Sequence, residues 1–267
     1  MKNRKCVYGW FAALFMCVGS AWANLPTGIS TDGNGAENQG ESGGIQEVAD
    51  WVKELSNLSP ENRKIYAEAF RMAKVCYAQG RMVECESHLN TCELYNRSNP
   101  NVWNLRASAL ISQKQFEQAE PLLVSVRRLN PQDSVARLSL SLLYLGTQRY
   151  EKCLEETELL IDDIMYKDMM QLTHSLMFRK LVCLVMLGRV DEARDVVADI
   201  SAIDDSPLYY YSQAVFALIE GNRKQAMSDM NVADNIYKTI GYLSGYKQTF
   251  TFSGLVEKYS IDNSIIK

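Results

Sequence analysis

The sequence predicts an all-α protein: an α–α superhelix, or solenoid, of about five helical hairpins with capping helices at both ends. Three observations predict it. Small residues recur at Cys85, Ala119, Cys153, Ala193 and Ala226, at intervals of 34, 34, 40 and 33 residues. A fixed period in this range marks stacked repeats of one supersecondary unit. From Pro60 onward, apolar residues follow helical spacing almost without a break. The interruptions fall at Gly80, Gly188 and Gly221, and at Asn99-Pro100, Asn130-Pro131 and Ser206-Pro207. Glycine just past one helix and proline opening the next is the expected asymmetry. Finally, β-branched alternation is rare, and Thr249 to Phe252 is the only short strand candidate.

The elements follow in chain order. Residues 1–23 read as a secretory signal. Lys2, Arg4 and Lys5 form a positive start, an apolar stretch runs from Val7 to Val18, and Ala21-Trp22-Ala23 fits a small-x-small cleavage site. Lipid anchoring through Cys17 is the weaker reading, because Phe15-Met16 precede it where a small residue is normal. Residues 24–44, rich in Gly, Asn, Ser and Thr, read as a flexible linker with too little apolar surface to fold. In residues 45–59, Ile45, Val48, Trp51, Val52, Leu55 and Leu58 recur at helical spacing. This N-terminal helix is either a cap on the array or an arm. Ser59-Pro60 then reads as an N-cap followed by proline in the first turn.

Residues 60–239 hold the repeats, with helices expected near 60–79, 82–96, 100–113, 116–129, 133–146, 150–163, 169–187, 190–201, 206–220 and 223–239. The second unit is clearest: Trp103-x-x-Arg106-Ala107-x-x-Leu110, Phe116-x-x-Ala119-x-x-x-Leu123, then Pro131. It resembles the tetratricopeptide repeat, W-x2-L-G-x2-Y…A-x3-F…P. Arg106 stands for the usual leucine and Leu110 for the usual tyrosine. The other units match in part, through Ala73, Gly80, Cys85 and Leu89, through Tyr144, Tyr150 and Cys153, through Leu184, Gly188 and Ala193, and through Ala217, Gly221 and Ala226. An insertion near Met165 to Gln171 explains the 40-residue interval. Residues 240–267 read as a C-terminal capping tail, rich in Tyr and Phe, with a helix from Ser253 to Lys258.

The resemblance implies a groove lined by the first helix of each unit. Projected onto this register, the candidate protein-binding residues are Asn101, Asn104 and Ser108 in the second unit. They are Leu138, Leu142 and Leu145 in the third, Phe178, Val182 and Val185 in the fourth, and Tyr211, Val215 and Leu218 in the fifth. The groove is therefore expected to be polar at one end and apolar over the rest. The lysines and arginines with which members of the family clamp a terminal carboxylate are missing. An apolar stripe needs a cover, which the sequence leaves open between the tail and a partner protein or second copy.

Composition restricts the chemistry. The chain carries 28 basic and 32 acidic side chains. Loss of residues 1–23 removes three basic and no acidic ones, leaving 25 against 32. This acidic balance argues against nucleic acid and against anionic lipid surfaces. After the signal, no stretch is long and apolar enough to span a membrane. Cys76, Cys85, Cys92, Cys153 and Cys183 fall on helix faces expected to pack inward. A disulfide from Cys76 to Cys85 or Cys92 is the alternative for an exported chain. His88 and His174 are isolated, so no metal is expected. No nucleophile elbow, phosphate loop or dinucleotide fingerprint occurs, so neither catalytic residues nor a cofactor are assigned. Glu155-Glu156 and Asp162-Asp163 read as solvated faces, and Asp204-Asp205 as a loop.

The expected function is an exported, non-enzymatic scaffold or adaptor, periplasmic or secreted, that holds a protein or peptide. Family members of this plan include assembly factors of bacterial envelopes. An enzyme or glycan-handling envelope protein with an unrecognised site, and a self-capped structural protein, are the alternatives. Monomer and homodimer stay open.

Overall fold

The computed structural model describes residues 50–163, 170–204, 206–238 and 243–259. The expected signal, the linker, residues 45–49 and the centre of the insertion lie outside these. Among the described residues there are thirteen helices and no strand. Helix α1 (Asp50–Asn57) precedes five hairpins. These pair α2 (Pro60–Ala78) with α3 (Met82–Tyr95), α4 (Pro100–Ser112) with α5 (Phe116–Leu129), and α6 (Ser134–Gly146) with α7 (Tyr150–Asp162). Next come α8 (Met170–Met186) with α9 (Val190–Asp195), and α10 (Pro207–Ile219) with α11 (Arg223–Ile236). Two helices close the described chain, α12 (Ser244–Phe252) and α13 (Leu255–Lys258). No helix among the described residues is long and apolar enough to cross a membrane.

The helix starts have local causes. The Ser59 hydroxyl accepts from the Asn62 N–H, the Asn99 side chain from the Asn101 N–H, and the Ser206 hydroxyl from the Leu208 N–H. In each case proline follows at the first helical position, where its missing N–H costs nothing. Asp133 caps α6 by accepting from the Ala136 N–H at 2.7 Å.

The turn inside each hairpin is the same turn five times. Gly80, Lys114, Gln148, Gly188 and Gly221 all take left-handed backbone, with φ of 71°, 61°, 58°, 80° and 77°. The next residue then donates its N–H back five positions, as in Arg81→Cys76, Gln115→Leu110, Arg149→Tyr144, Arg189→Leu184 and Asn222→Ala217, at 2.8–2.9 Å. This is the Schellman pattern that satisfies the last carbonyls of a helix. Five residues after each left-handed position comes a small residue, Cys85, Ala119, Cys153, Ala193 or Ala226, and all five are fully buried. The sequence interval is thus the spacing of one turn and one close backbone approach.

Successive hairpins pack side by side. Helix α4 lies against α2, α3 and α6, α6 against α5, and α8 against α7 and α10. The main core runs from α4 to α13, and a second one joins α2, α3 and α4 with Leu55 and Leu58. Arg106, at the repeat's usual leucine, reaches sideways to Glu86, Asn90 and Glu93 on α3.

Two expectations are corrected. Helix α9 stops at Asp195 and continues as turns, short of the expected 201. Thr249 to Phe252 is helical, part of α12, because one helical face there is buried and outweighs the β-prone composition. Gly188→Ala tests the turn. A Cβ at Gly188 would meet nothing within 4 Å, so the whole cost is backbone, about 1 kcal/mol. Urea unfolding should show that loss with unchanged m-value.

Candidate binding face

The first helices of the last three hairpins, α6, α8 and α10, present one continuous apolar face, and α12 lies on it. Tyr246 and Phe250 stand one helical turn apart, so they project from the same side of α12. They meet Phe178 of α8 and Tyr211 of α10. Ring centroids are 5.3 Å for Phe178–Tyr246, 5.6 Å for Phe178–Phe250, 5.1 Å for Tyr211–Tyr246 and 5.8 Å for Tyr211–Phe250. Phe178 and Tyr211 meet edge to face at 5.6 Å. All four rings are at most 2 % exposed. Such contacts favour offset and tilted geometry over stacking face to face.

Polar groups fix the position of this cluster. Asp234 of α11 accepts from the Tyr211 hydroxyl at 3.2 Å and pairs with the Lys247 ammonium at 2.7 Å. Burial and the neighbouring Asp234 push the Tyr211 phenol well above its ordinary range. At the other end of α12, Tyr150 donates its hydroxyl to the Ser253 carbonyl at 2.8 Å. Phe116 meets Phe252 edge to face at 5.8 Å. That ring fits because residue 146 is glycine: a Cβ there would lie 2.5 Å from Phe116 Cζ.

The two hairpin turns without glycine both touch this segment. The Lys114 ammonium lies 5.6 Å from the Phe252 ring centre. The Gln148 amide lies 3.3 Å from where a Cβ on Gly254 would sit. A side chain is retained at both turns although left-handed backbone disfavours one.

The apolar residues projected onto a groove are all buried: Leu138, Leu142, Leu145, Phe178, Val182, Val185, Tyr211, Val215 and Leu218. Eight of them share the main core with Tyr246, Phe250, Phe252, Leu255 and Val256. Leu138 belongs instead to a small cluster with Leu160, Leu172 and Leu176. Among the polar three, Asn104 is buried and donates to Asp133 Oδ1 at 3.3 Å, and Ser108 faces the Ser139 hydroxyl at 3.3 Å. Asn101 is half-buried, its N–H held by Asn99. The Asn104 and Ser108 side chains act as rungs between neighbouring hairpins.

The remaining chemical groups are structural in placement. Glu156 is a correction to the solvated-face reading: it is buried, bonded to Arg127, with Arg137 Nε at 3.6 Å. Asp163 accepts from the Ser134 hydroxyl at 3.2 Å. His174 shares a hydrogen bond with the Ser206 hydroxyl at 2.8 Å, and burial lowers its pKa. All five described cysteines are free and buried, so Cys76, Cys85 and Cys92 form no disulfide. No cluster of metal-ligating side chains occurs among the described residues. Sequence reasoning missed α12 as a helix and Arg179 as a buried cation. The one-turn spacing of Tyr246 and Phe250 was the available signal for the first.

Comparison of the chain with protein-family models, curated proteins and solved structures finds no match. The functional reading therefore rests on the geometry of this face.

Phe250→Ala removes one ring from a cluster with no room to collapse and should cost about 3–5 kcal/mol. Thermal or urea unfolding measures it. Gly146→Ala should loosen the far end of α12 by displacing Phe116. Hydrogen exchange should then rise in residues 250–256 and stay unchanged in α2 and α3.

Proposed function

We propose that the chain is an exported, non-enzymatic interaction scaffold of the tetratricopeptide type, a superhelical stack of five hairpins. Its inner face takes a short helix bearing two aromatic residues one turn apart, and α12 is the occupant in the folded chain. Packing of Tyr246 and Phe250 between Phe178 and Tyr211 is the observation that carries this reading. A helix laid into an apolar groove is a standard mode of peptide recognition, read through anchors at i and i+4. The export reading rests on residues 1–23, and envelope assembly on the resemblance given above.

With the face occupied in cis, the full chain is expected to be a monomer. A partner would present the same aromatic spacing and compete with α12. Competition at such a face follows effective concentration: a tethered segment acts at about millimolar strength, so a free segment must bind well to displace it.

A protease site placed within residues 239–242 allows the chain to fold first and be cut afterwards. The cut protein should retain its tail, then exchange it for a labelled peptide of residues 243–259 at one peptide per chain. The uncut protein should not take up the peptide, nor should the cut protein take up a peptide carrying Phe250→Asp. If the cut protein sheds its tail and remains equally stable, monomeric and unable to bind peptide, the reading fails. Crosslinking in the native cell envelope should recover a protein joined through residues of α6, α8 or α10.

A further inference from the structure

Fully buried hydroxyls in this protein share one solution. Ser141, Thr157, Ser212 and Ser253 are at most 1 % exposed, and each donates to a carbonyl three or four residues back. The acceptors are Leu138 at 2.8 Å, Cys153 at 2.6 Å, Leu208 at 2.6 Å and Phe250 at 3.2 Å. Serine and threonine in helices commonly make this bond. Thr249 of α12 is the exception among the described hydroxyls buried this deeply: it is 0 % exposed and its Oγ1 has no partner. One residue earlier, the Gln248 side-chain oxygen is also buried without a donor.

Thr249 lies within the docked stripe of α12. Tyr246, Thr249, Phe250 and Ser253 follow the spacing i, i+3, i+4 and i+7, so they share one helical face, and all four are buried. The orphaned hydroxyl therefore sits between the two anchor rings, on the side of α12 that meets α6, α8 and α10. The rest of α12 is weak as a helix. It has no side-chain bond at its N-cap, whereas the first helices α2, α4, α6 and α10 each have one. Gly245, Thr249 and Thr251 rank low as helix formers. The helix is held by its face and not by its own sequence.

A hydroxyl that loses water and gains no partner weakens an association by about tenfold. A methyl group in its place removes that penalty, keeps the branched shape and adds apolar contact. We infer that α12 is an imperfect occupant of its own face, and that the face prefers a partner helix carrying valine where α12 carries Thr249. The recognised pattern is Tyr-x-x-Val-Phe on one helical stripe.

This inference rests on the occupancy in cis proposed above, and it adds what a partner must carry to displace the tail. A free helix that merely copies α12 competes against a tethered segment and is at a disadvantage. A helix with valine between the two rings recovers about tenfold of that disadvantage. Thr249 thus lets the tail cover the apolar face while leaving it open to replacement by a better-matched helix.

The test compares threonine with valine in two settings. In the intact chain, Thr249→Val should slow hydrogen exchange of residues 244–252 by about tenfold. Thr251→Val is the control: its hydroxyl already donates to the Lys247 carbonyl at 2.8 Å and the residue is exposed, so exchange should not slow. In the chain folded first and then cut within residues 239–242, a labelled peptide of residues 243–259 carrying Thr249→Val should replace the tail at about one-tenth of the concentration that the unchanged peptide needs. Failure of every peptide to replace the tail overturns the reading of occupancy in cis, and this inference with it. Replacement by the unchanged peptide with no advantage for valine overturns this inference alone. So does a Thr249→Val chain whose residues 244–252 exchange hydrogen as fast as those of the wild-type chain.

Discussion

Close approach of two backbones at one small residue per hairpin is the constraint on which the rest of this protein depends. The five residues at these points are alanine or cysteine, and none is exposed. A larger side chain would force the paired helices apart and move every side chain further along. The turn before each contact sets its phase, because the left-handed residue and the six-residue hydrogen bond fix where the second helix begins. Close packing in a protein interior transmits such displacements instead of absorbing them. The positions of Phe178 and Tyr211, on first helices of two different hairpins, therefore follow from turns more than 20 residues away from each other along the chain.

Much of this was legible because periodic features are local. Start signals such as Ser59-Pro60 and Asn99-Pro100, and the stop at Gly188, act within a few residues, and the helix limits match them closely. Other features depended on tertiary context. Residues Thr249 to Phe252 alternate between threonine and phenylalanine, which reads as strand by composition. Their helical state depends on a face built by α6, α8 and α10, about 30 to 110 residues earlier. Glu156 was obscured in another way. Its neighbour Glu155 is exposed, but helical rotation places Glu156 with Cys153 and Leu160 on the inward side. Lys114 and Gln148 carry no glycine-like signal at all, yet they occupy the same left-handed position as Gly80.

The apolar stripe and its cover were legible separately and not as a pair. Leu142, Val182 and Val215 announced a surface that needed burial, and the Tyr and Phe of the tail announced material able to bury it. What joins them is specific geometry: the Asp234 bridge between Tyr211 and Lys247, the Tyr150 bond to Ser253, and the space left at Gly146. The polar half of the inner face resolved differently. Asn104 and Ser108 are spent on a neighbouring hairpin, through Asp133 and Ser139.

The bond from Tyr150 to Ser253 spans 103 positions of sequence. Synthesis proceeds from the N-terminus, so α6, α8 and α10 emerge with their aromatic face bare and stay so until α12 follows. The unfinished chain is thus an exposed hydrophobic surface of the kind that aggregates or recruits holding factors. Completing the fold is a long-range closure, slower than forming the hairpins that precede it. A stop codon before Tyr246 would then act far out of proportion to the few residues lost, trapping the molecule in the form its last helices exist to conceal.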